Sequence, residues 1–370
     1  MHVEIAGAGF AGLAAGIAFR RRGWSVRVHE REAELRAFGA GIFIWENGQR
    51  ALQAIGAYDD VTRGAHQAPG YETRRNGVNV SFEKINGANP FLLQTMTRQH
   101  LYSAIIASAK REGIEICTQS EAVGARPEGV LELADGRSLK ADLVIAADGV
   151  RSAVRDSLGI PVARHKYQDG IVRVLVDRAP FLGGDWEHVI DFWAFEPRTL
   201  RILYAPCEDG KLYFAMMAPR DDHEAATLPI KPHVWGSVFP MLMPAIQTIG
   251  DRGRYDVYET TKLESWSVGR VAIVGDAAHA LPPTLAQGAC LAMMNALSMA
   301  EIVTAGTDVV ASLQHWEKQE RALTDHTQAR SAELARTRAL GAGMRWDEVG
   351  LRAARHIPFG SRPEEFPRAR

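Results

Sequence analysis

The sequence predicts an α/β fold: a parallel-sheet domain interrupted by a mixed β-sheet domain and closed by C-terminal helices. Three observations predict it. A glycine-rich turn joins a short apolar strand to a helix at the very start of the chain. Two further apolar strands, 141–146 and 270–274, each run into an Asp- and Gly-bearing turn. Between them lie runs of β-branched and aromatic residues with polar alternation, the pattern of half-buried strands. At 370 residues the chain is long enough for two or three domains or one large α/β unit.

The opening stretch organises the rest. Met1–Ala6 reads as a strand, Leu13–Arg22 carries Leu, Ala, Ile and Phe at helical spacing, and Gly23 ends that helix. Between strand and helix stands Gly7-Ala8-Gly9-Phe10-Ala11-Gly12, a G-x-G-x-x-G turn. In that Rossmann-like context Gly7 permits the tight turn. Gly9 lets backbone approach a pyrophosphate, and Gly12 lets the helix pack close to the sheet. The helix start offers unpaired N–H groups and a positive dipole end to phosphate. A second strand, Trp24–His29, ends in Glu30, 18 residues beyond Gly12, where a carboxylate meets a ribose diol.

The remaining elements follow in order. Arg36 precedes a second glycine-bearing loop, Phe38–Ile42, where small residues such as Gly41 let backbone pass close to a flat ligand. Trp45 suits either core or pocket wall, and a helix is predicted over Asn47–Gly56. Asn76-Gly77 inside YETRRNGVNVSFEK marks a hairpin. Thr97 opens an amphipathic helix through Lys110, and Asp135-Gly136 turns another hairpin within Leu131–Lys140. Gly170–Glu259 reads as several strands of a mixed sheet, Pro229–Ile249 as helix, and Gly288–Ala305 and Val309–Leu340 as two further helices. The expected division is a discontinuous nucleotide-binding domain (1–70, 98–160 and 268–340), a substrate domain (71–97 and 161–267) and a tail (341–370). Ligand chemistry then falls where the two domains meet.

Composition narrows the function. Hydrophobic content of 46%, charged content of 24% and a formal charge of −1 are those of an ordinary globular protein. They argue against a nucleic-acid or membrane-surface partner, which needs a basic face. No apolar run is read as a spanning helix, and no signal peptide is seen. Cys117, Cys207 and Cys290 are widely spaced, which suits reduced thiols in a cytoplasmic protein. No His/Cys cluster has metal-ligand spacing, so no metal is expected. Arg201 stands in the apolar strand R-I-L-Y and needs an anionic partner, either a ligand or an internal acid. Tyr71 and Tyr213 offer phenol donors on strand faces. Ser152 and Arg155 are read as braces of their loop, and His279 as structural.

Three motifs stand in sequence: GAGFAG with Glu30, ADGVRSAVR at 147–155, and GDAAHALPPTLAQGA at 275–289. As an ordered set they resemble the single-component flavin-dependent aromatic monooxygenases, the para-hydroxybenzoate hydroxylase family, over nearly the whole chain. The resemblance implies a glutathione-reductase-like FAD-binding domain, NADH or NADPH as reductant, and O2 carried to the ring as a flavin C4a-hydroperoxide. It assigns the pyrophosphate to the turn Gly7, Gly9, Phe10, Ala11 and Gly12, and the adenosine ribose to Glu30, with Arg31 beside it. Arg36, Gly41 and Arg98 reach the cofactor from neighbouring segments, and Asp148 and Gly149 form the D-G motif. Asp276 meets the ribityl chain, and Pro283, Gly288 and Ala289 border the isoalloxazine. Where the family often has G-Q-G, this chain has Ala286-Gln287-Gly288.

A narrower resemblance is carried by ELRAFGAGIFIWENGQR, PGYETRR, RILYAPC, LYFAMMAP and the long run YETTKLESWSVGRVAIVGDAAHALPPTLAQGA. These resemble the branch of the family that opens hydroxypyridine carboxylate rings in vitamin B6-type catabolism. It implies substrate contacts by Tyr71, Arg201 and Tyr213, with Phe43 where that branch has a tyrosine. The expected partner is a small aromatic carboxylate. Alternatives are plain hydroxylation, with or without decarboxylation, of a hydroxynicotinate- or salicylate-like ring, and a non-catalytic flavin-binding module. The W-x-W-x-I-P signature of flavin halogenases is absent. The sequence specifies neither monomer nor homo-oligomer.

Overall fold

The structure, a computed structural model, describes residues 1–37, 39–88, 92–208 and 210–338. Phe38 of the second glycine loop, the last two residues of the helix expected to reach Leu340, and the tail 341–370 lie outside the described residues.

The first sheet has six strands, in the order Ser267–Val268, Val271–Ile273, Leu143–Ala146, His2–Ala6, Ser25–His29, Glu115–Cys117. All neighbours are parallel except the first pair. The helices Phe10–Arg21, Arg98–Arg111 and Gly288–Ala305 belong to this unit. Leu143–Ala146 and Val271–Ile273 are apolar throughout, as parallel strands covered on both faces are. A small antiparallel sheet, Ala122–Arg126, Val130–Leu133 and Ser138–Lys140, carries the predicted hairpin with Gly136 at φ 88°. The loop expected around Gly41 is instead half strand. Gly41–Trp45 pairs antiparallel with Leu93–Thr97. Trp45 is buried in the core.

The third sheet has seven strands, in the order Tyr255–Leu263, Val162–Asp177, Lys211–Pro219, Leu200–Pro206, Val189–Ala194, Gly70–Arg75, Val78–Lys84. Its two faces go to different places because side chains alternate along each strand. Val172, Val174, Ile202, Tyr204, Phe214 and Met216 point into a separate small core, closed by Trp235, Phe239 and Ile246. Ile171, Arg173, Arg201, Leu203, Tyr213 and Ala215, at odd positions, face the parallel-sheet unit across a cleft.

Two expectations are corrected here. Pro229–Ile249 is not one helix but two short ones, Pro232–Gly236 and Met243–Ile246, joined by a 3₁₀ turn at Pro240–Leu242. Pro240 and Pro244 lack the N–H that a continuous helix needs. An apolar run of spanning length does exist. Gly288–Ala305 has a mean hydropathy of 1.4, yet 72% of it is buried inside the protein, as a core helix is.

The long helix Val309–Thr337 ties the two units together. Gln328 Nε2 donates to the carbonyls of Thr261 (2.7 Å) and Ala280 (2.8 Å), and Ser331 Oγ to that of Pro282 (2.7 Å). At its end Arg338 pairs with the buried Asp169 of the long strand Val162–Asp177 through both carboxylate oxygens.

Candidate active site

The cleft between the parallel sheet and the seven-stranded sheet holds a cavity of about 300 Å³. Its floor is built by backbone. The helix Phe10–Arg21 begins at Gly9 with no side-chain cap and no acid in its first turn. The helix Gly288–Ala305 begins in the same way after Gln287. Both therefore present unpaired N–H groups and a positive dipole end. Gly9, Phe10, Ala11, Gly149, Gly288 and Ala289 all line the cleft.

Gly7 and Gly12 do not line it but make it possible. Gly7 has φ 97°, a conformation side chains disfavour, and a Cβ there would stand 2.4 Å from the carbonyl oxygen of Ala147. A Cβ on Gly12 would stand 2.0 Å from the carbonyl oxygen of Gly7. Gly9, Gly149 and Gly288 are the reverse case: no protein atom lies within 4 Å of where a Cβ would be. Gly41 has a third role, since its missing side chain leaves room for the Tyr213 ring.

Glu30 sits at the tip of its strand and accepts the N–H groups of Ala8 (3.0 Å) and Glu32 (3.1 Å). Its carboxylate thus holds the glycine turn against the second strand. Tyr102 steadies the same turn, its hydroxyl donating to the carbonyl of Ala8 at 2.9 Å. Burial pushes that phenol up to about 12. Arg98 reaches the cleft from the start of its helix and lies over the Phe10 ring at 5.2 Å. Burial, and then the nearby Arg173, hold its pKa below the ordinary arginine value. Asp276 and Pro283 line the opposite side. Desolvation raises the Asp276 carboxyl above its ordinary range, and Arg98 and Arg173 oppose that rise.

Several predicted residues are placed elsewhere. Arg31 and Arg36 are exposed and pair at the surface with Glu32 and Glu34. Asp148 is turned inward, accepting from Ser152 Oγ (2.5 Å) and the N–H of Val154 (3.2 Å), so it caps its own loop. Arg155, fully buried, donates to the carbonyls of Ala277 (2.9 Å) and Val150 (3.1 Å), which links the second and third motifs. Tyr71 is buried on the same sheet face as Arg201 and near it, but does not line the cleft.

Arg201 is not a lone cation. Its Nε and Nη2 bond both oxygens of Asp191, at 2.6 and 3.1 Å, and its guanidinium lies over the Trp193 ring at 5.1 Å. Burial disfavours its charge, but Asp191 outweighs that and raises its pKa. The internal acid stands two residues from Trp193, the cross-strand partner of Arg201. Sequence reading missed Asp191 and also Arg173, which lines the cleft 3.6 Å from Asp256. Strand alternation carries the signal: 171, 173, 201, 203, 213 and 215 share a parity, but only the register puts them on one wall. Tyr258, nearby and buried, has its phenol pushed up to about 12, by burial first.

Ala286 lines the cleft at φ 52° and ψ 36°, the left-handed region. A Cβ there costs about 1–2 kcal/mol, and a glycine returns part of that as unfolded-state entropy. Ala286→Gly is expected to stabilise the fold by about 0.5 kcal/mol. A urea-unfolding midpoint below that of the unaltered chain would refute the strain.

FAD fits this arrangement. Two uncapped helix starts face one cleft, and open glycine positions lie at each. Gln287, between two lining residues, has a buried Nε2 without a partner among the described residues. The profile of the FAD binding domain family matches residues 1–332. The tetrameric form of 2-methyl-3-hydroxypyridine-5-carboxylic acid oxygenase superposes with a TM-score of 0.92 at 46% identity, covering 96% of each chain. The 2-heptyl-3-hydroxy-4(1H)-quinolone synthase of Mycobacteroides abscessus is 37% identical over 340 residues, 90% of this chain and 89% of that enzyme. The FAD-dependent urate hydroxylase of Klebsiella pneumoniae is 26% identical over 338 residues, 86% of this chain and 85% of that one. Fold, cleft and relatives agree that the chain belongs to the FAD binding domain family and is an FAD-dependent aromatic monooxygenase.

Proposed function

We propose that this monooxygenase acts on a hydroxylated pyridine or benzene carboxylate, with oxygenative opening of a 3-hydroxypyridine carboxylate ring as its reaction. The observation that carries the reading is the shared wall. Arg201, Arg173 and Tyr213 face the cleft opposite the glycine cradle, and the likeness to the hydroxypyridine carboxylate oxygenase covers both sides. FAD held here would supply the redox chemistry, hydride acceptance from NADH or NADPH and oxygen transfer from O2 to the ring.

The chain's own residues hold and orient. Gly7, Gly9, Phe10, Ala11 and Gly12 form the pyrophosphate cradle with Glu30 behind it. Arg98, Asp276, Pro283, Gly288 and Ala289 surround the rest of the cofactor, and Gly149 closes the far edge. Arg201 and Arg173 receive the polar substituents of the substrate, Tyr213 orients the ring oxygen, and Tyr71 supports Arg201 from the same sheet face. Ile171, Leu203, Phe43 and Ala215 exclude water. The domain division 1–70, 98–160 and 268–340 against 71–97 and 161–267 belongs to the same reading.

A second reading is plain hydroxylation of an uncharged ring. The Arg201–Asp191 pair favours it, because it removes the net charge a carboxylate would seek.

The test is NADH and NADPH oxidation by FAD-loaded protein against a panel of hydroxypyridine and hydroxybenzoate carboxylates, with a product mass for each. A product heavier by two oxygens and two hydrogens is expected. A gain of one oxygen would replace ring opening by hydroxylation. Peroxide alone, with no oxygenated product, would sink the substrate class.

A further inference from the structure

We propose that Asp191 sets the charge selectivity of the substrate cleft, by making the Arg201 wall read a hydrogen-bond acceptor and not a net negative charge. This rests on the reading of the cleft as the aromatic substrate site.

The geometry is a closed bidentate pair. Arg201 and Asp191 side chains are only 10% and 9% exposed. Nε and one Nη2 hydrogen are committed to the carboxylate. A guanidinium has five N–H donors in a fixed fork, so three remain. Tyr71 is buried nearby, and Arg201 lines the cleft. The guanidinium also lies over the Trp193 ring, a cation–π contact that helps to hold it in place.

What reaches a ligand is therefore a pair with no net charge. An anion placed against the free edge of Arg201 is attracted by the guanidinium and repelled by Asp191, bonded to its other edge. A neutral acceptor, such as an amide or ring carbonyl oxygen, meets the same donors without that repulsion. Arg173 differs, because its acid, Asp256, is 3.6 Å away and its side chain is 28% exposed. Arg173, its charge softened by water, and Arg98, which faces Asp276 across the cleft, supply the remaining long-range attraction. The site as built thus accepts carboxylates and their neutral analogues with similar affinity.

Asp191→Asn keeps an oxygen for Nε and removes the charge. The Arg201 wall then becomes net cationic in a poorly solvated place, where charges count more than in water. The experiment uses the FAD-loaded enzyme and two matched probe pairs: 3-hydroxybenzoate with 3-hydroxybenzamide, and 5-hydroxypyridine-3-carboxylate with its carboxamide. Dissociation constants come from calorimetry and from the perturbation of flavin absorbance, without turnover.

For the unaltered enzyme, the carboxylate and carboxamide of each pair are expected to bind within about tenfold of each other. In Asp191→Asn the carboxylate is expected to tighten at least tenfold while the carboxamide stays within about threefold. Asp191→Glu, which keeps the charge, is expected to stay on the side of the unaltered enzyme. A merely structural role for Asp191 would weaken both members of a pair alike.

A preference above a hundredfold for carboxylates in the unaltered enzyme overturns the proposal by itself, whether or not the variant folds. So does an unchanged ratio in Asp191→Asn. If no probe of either pair binds at millimolar concentration, the aromatic-acid reading fails and the proposal falls with it.

Discussion

Gly9→Ala is expected to leave the fold intact and to empty the cofactor site, whereas Gly12→Ala is expected to disturb both. The contrast follows from where each new methyl would go. At Gly9 the backbone is extended, with φ −74°, and no protein atom lies within 4 Å of the added Cβ. The only thing it meets is whatever the helix start binds. At Gly12 the added Cβ falls 2.0 Å from the Gly7 carbonyl oxygen, a backbone atom, and 3.3 Å from Ala147 Cβ. Helix and turn must part before it fits. For Gly9→Ala we expect unfolding of the FAD-free protein at an unchanged urea midpoint, with FAD affinity at least a hundredfold weaker, about 2.8 kcal/mol. For Gly12→Ala the midpoint falls as well. Fluorescence titration of flavin and denaturant unfolding of both variants check this. Unaltered FAD affinity in Gly9→Ala would remove the pyrophosphate from the first glycine turn.

The physics of that turn explains why so much of the fold was legible. Gly7, Gly9 and Gly12 are read from local requirements, namely a turn, an approach and a packing distance, and local requirements are written in adjacent residues. The same holds for the hairpins at Asn76-Gly77 and Asp135-Gly136. The helix expected over Pro229–Ile249 failed because its apolar residues serve a small core under a curved sheet. Two prolines there override the apolar periodicity.

The site was legible only in part, and the division is again physical. Residues fixed by backbone near a motif, such as Arg98, Asp276 and Gly288, line the cleft. Arg31 and Arg36, assigned by resemblance, pair with Glu32 and Glu34 at the surface, because in a polar loop the neighbouring residues do not distinguish a solvated arginine from one turned inward. Asp148 turns towards its own loop because a half-buried carboxylate takes the nearest donors, and Ser152 is four residues away. The Arg201–Asp191 pair joins neighbouring strands, so it depends on register, which adjacent residues do not encode.

Acid is expected to loosen the third motif before it unfolds the rest, and His279 is the cause. The ring is 3% exposed, tilted against Trp266 at 5.4 Å, with Nε2 3.1 Å from Asn295 Nδ2. Burial lowers its pKa to about 4, while in the unfolded chain it titrates near 6.5. Between those values the unfolded state binds a proton that the folded state refuses, so stability rises with pH across that window. The contribution is intact above about 6.5 and is lost as pH falls towards 4. Between pH 7 and 5 the linkage amounts to about 2 kcal/mol. Glu4 does not confuse the measurement. Burial tends to raise its pKa, but His29 and His2 win and lower it, so its contribution is lost only as pH falls through a value below the ordinary 4.5. Asp148 and Asp276 have raised pKa values and act with the opposite sign, but they are common to both proteins compared. The measurement is urea unfolding of the unaltered chain and of His279→Gln at pH 7, 6 and 5. The unaltered chain is expected to lose about 2 kcal/mol more than the variant over that range. Because His279 closes the short helix that begins at Asp276, FAD release is expected to follow the same pH course in the unaltered chain alone. Parallel pH profiles for the two proteins would mean that the buried ring takes up its proton without cost, and would end the claim.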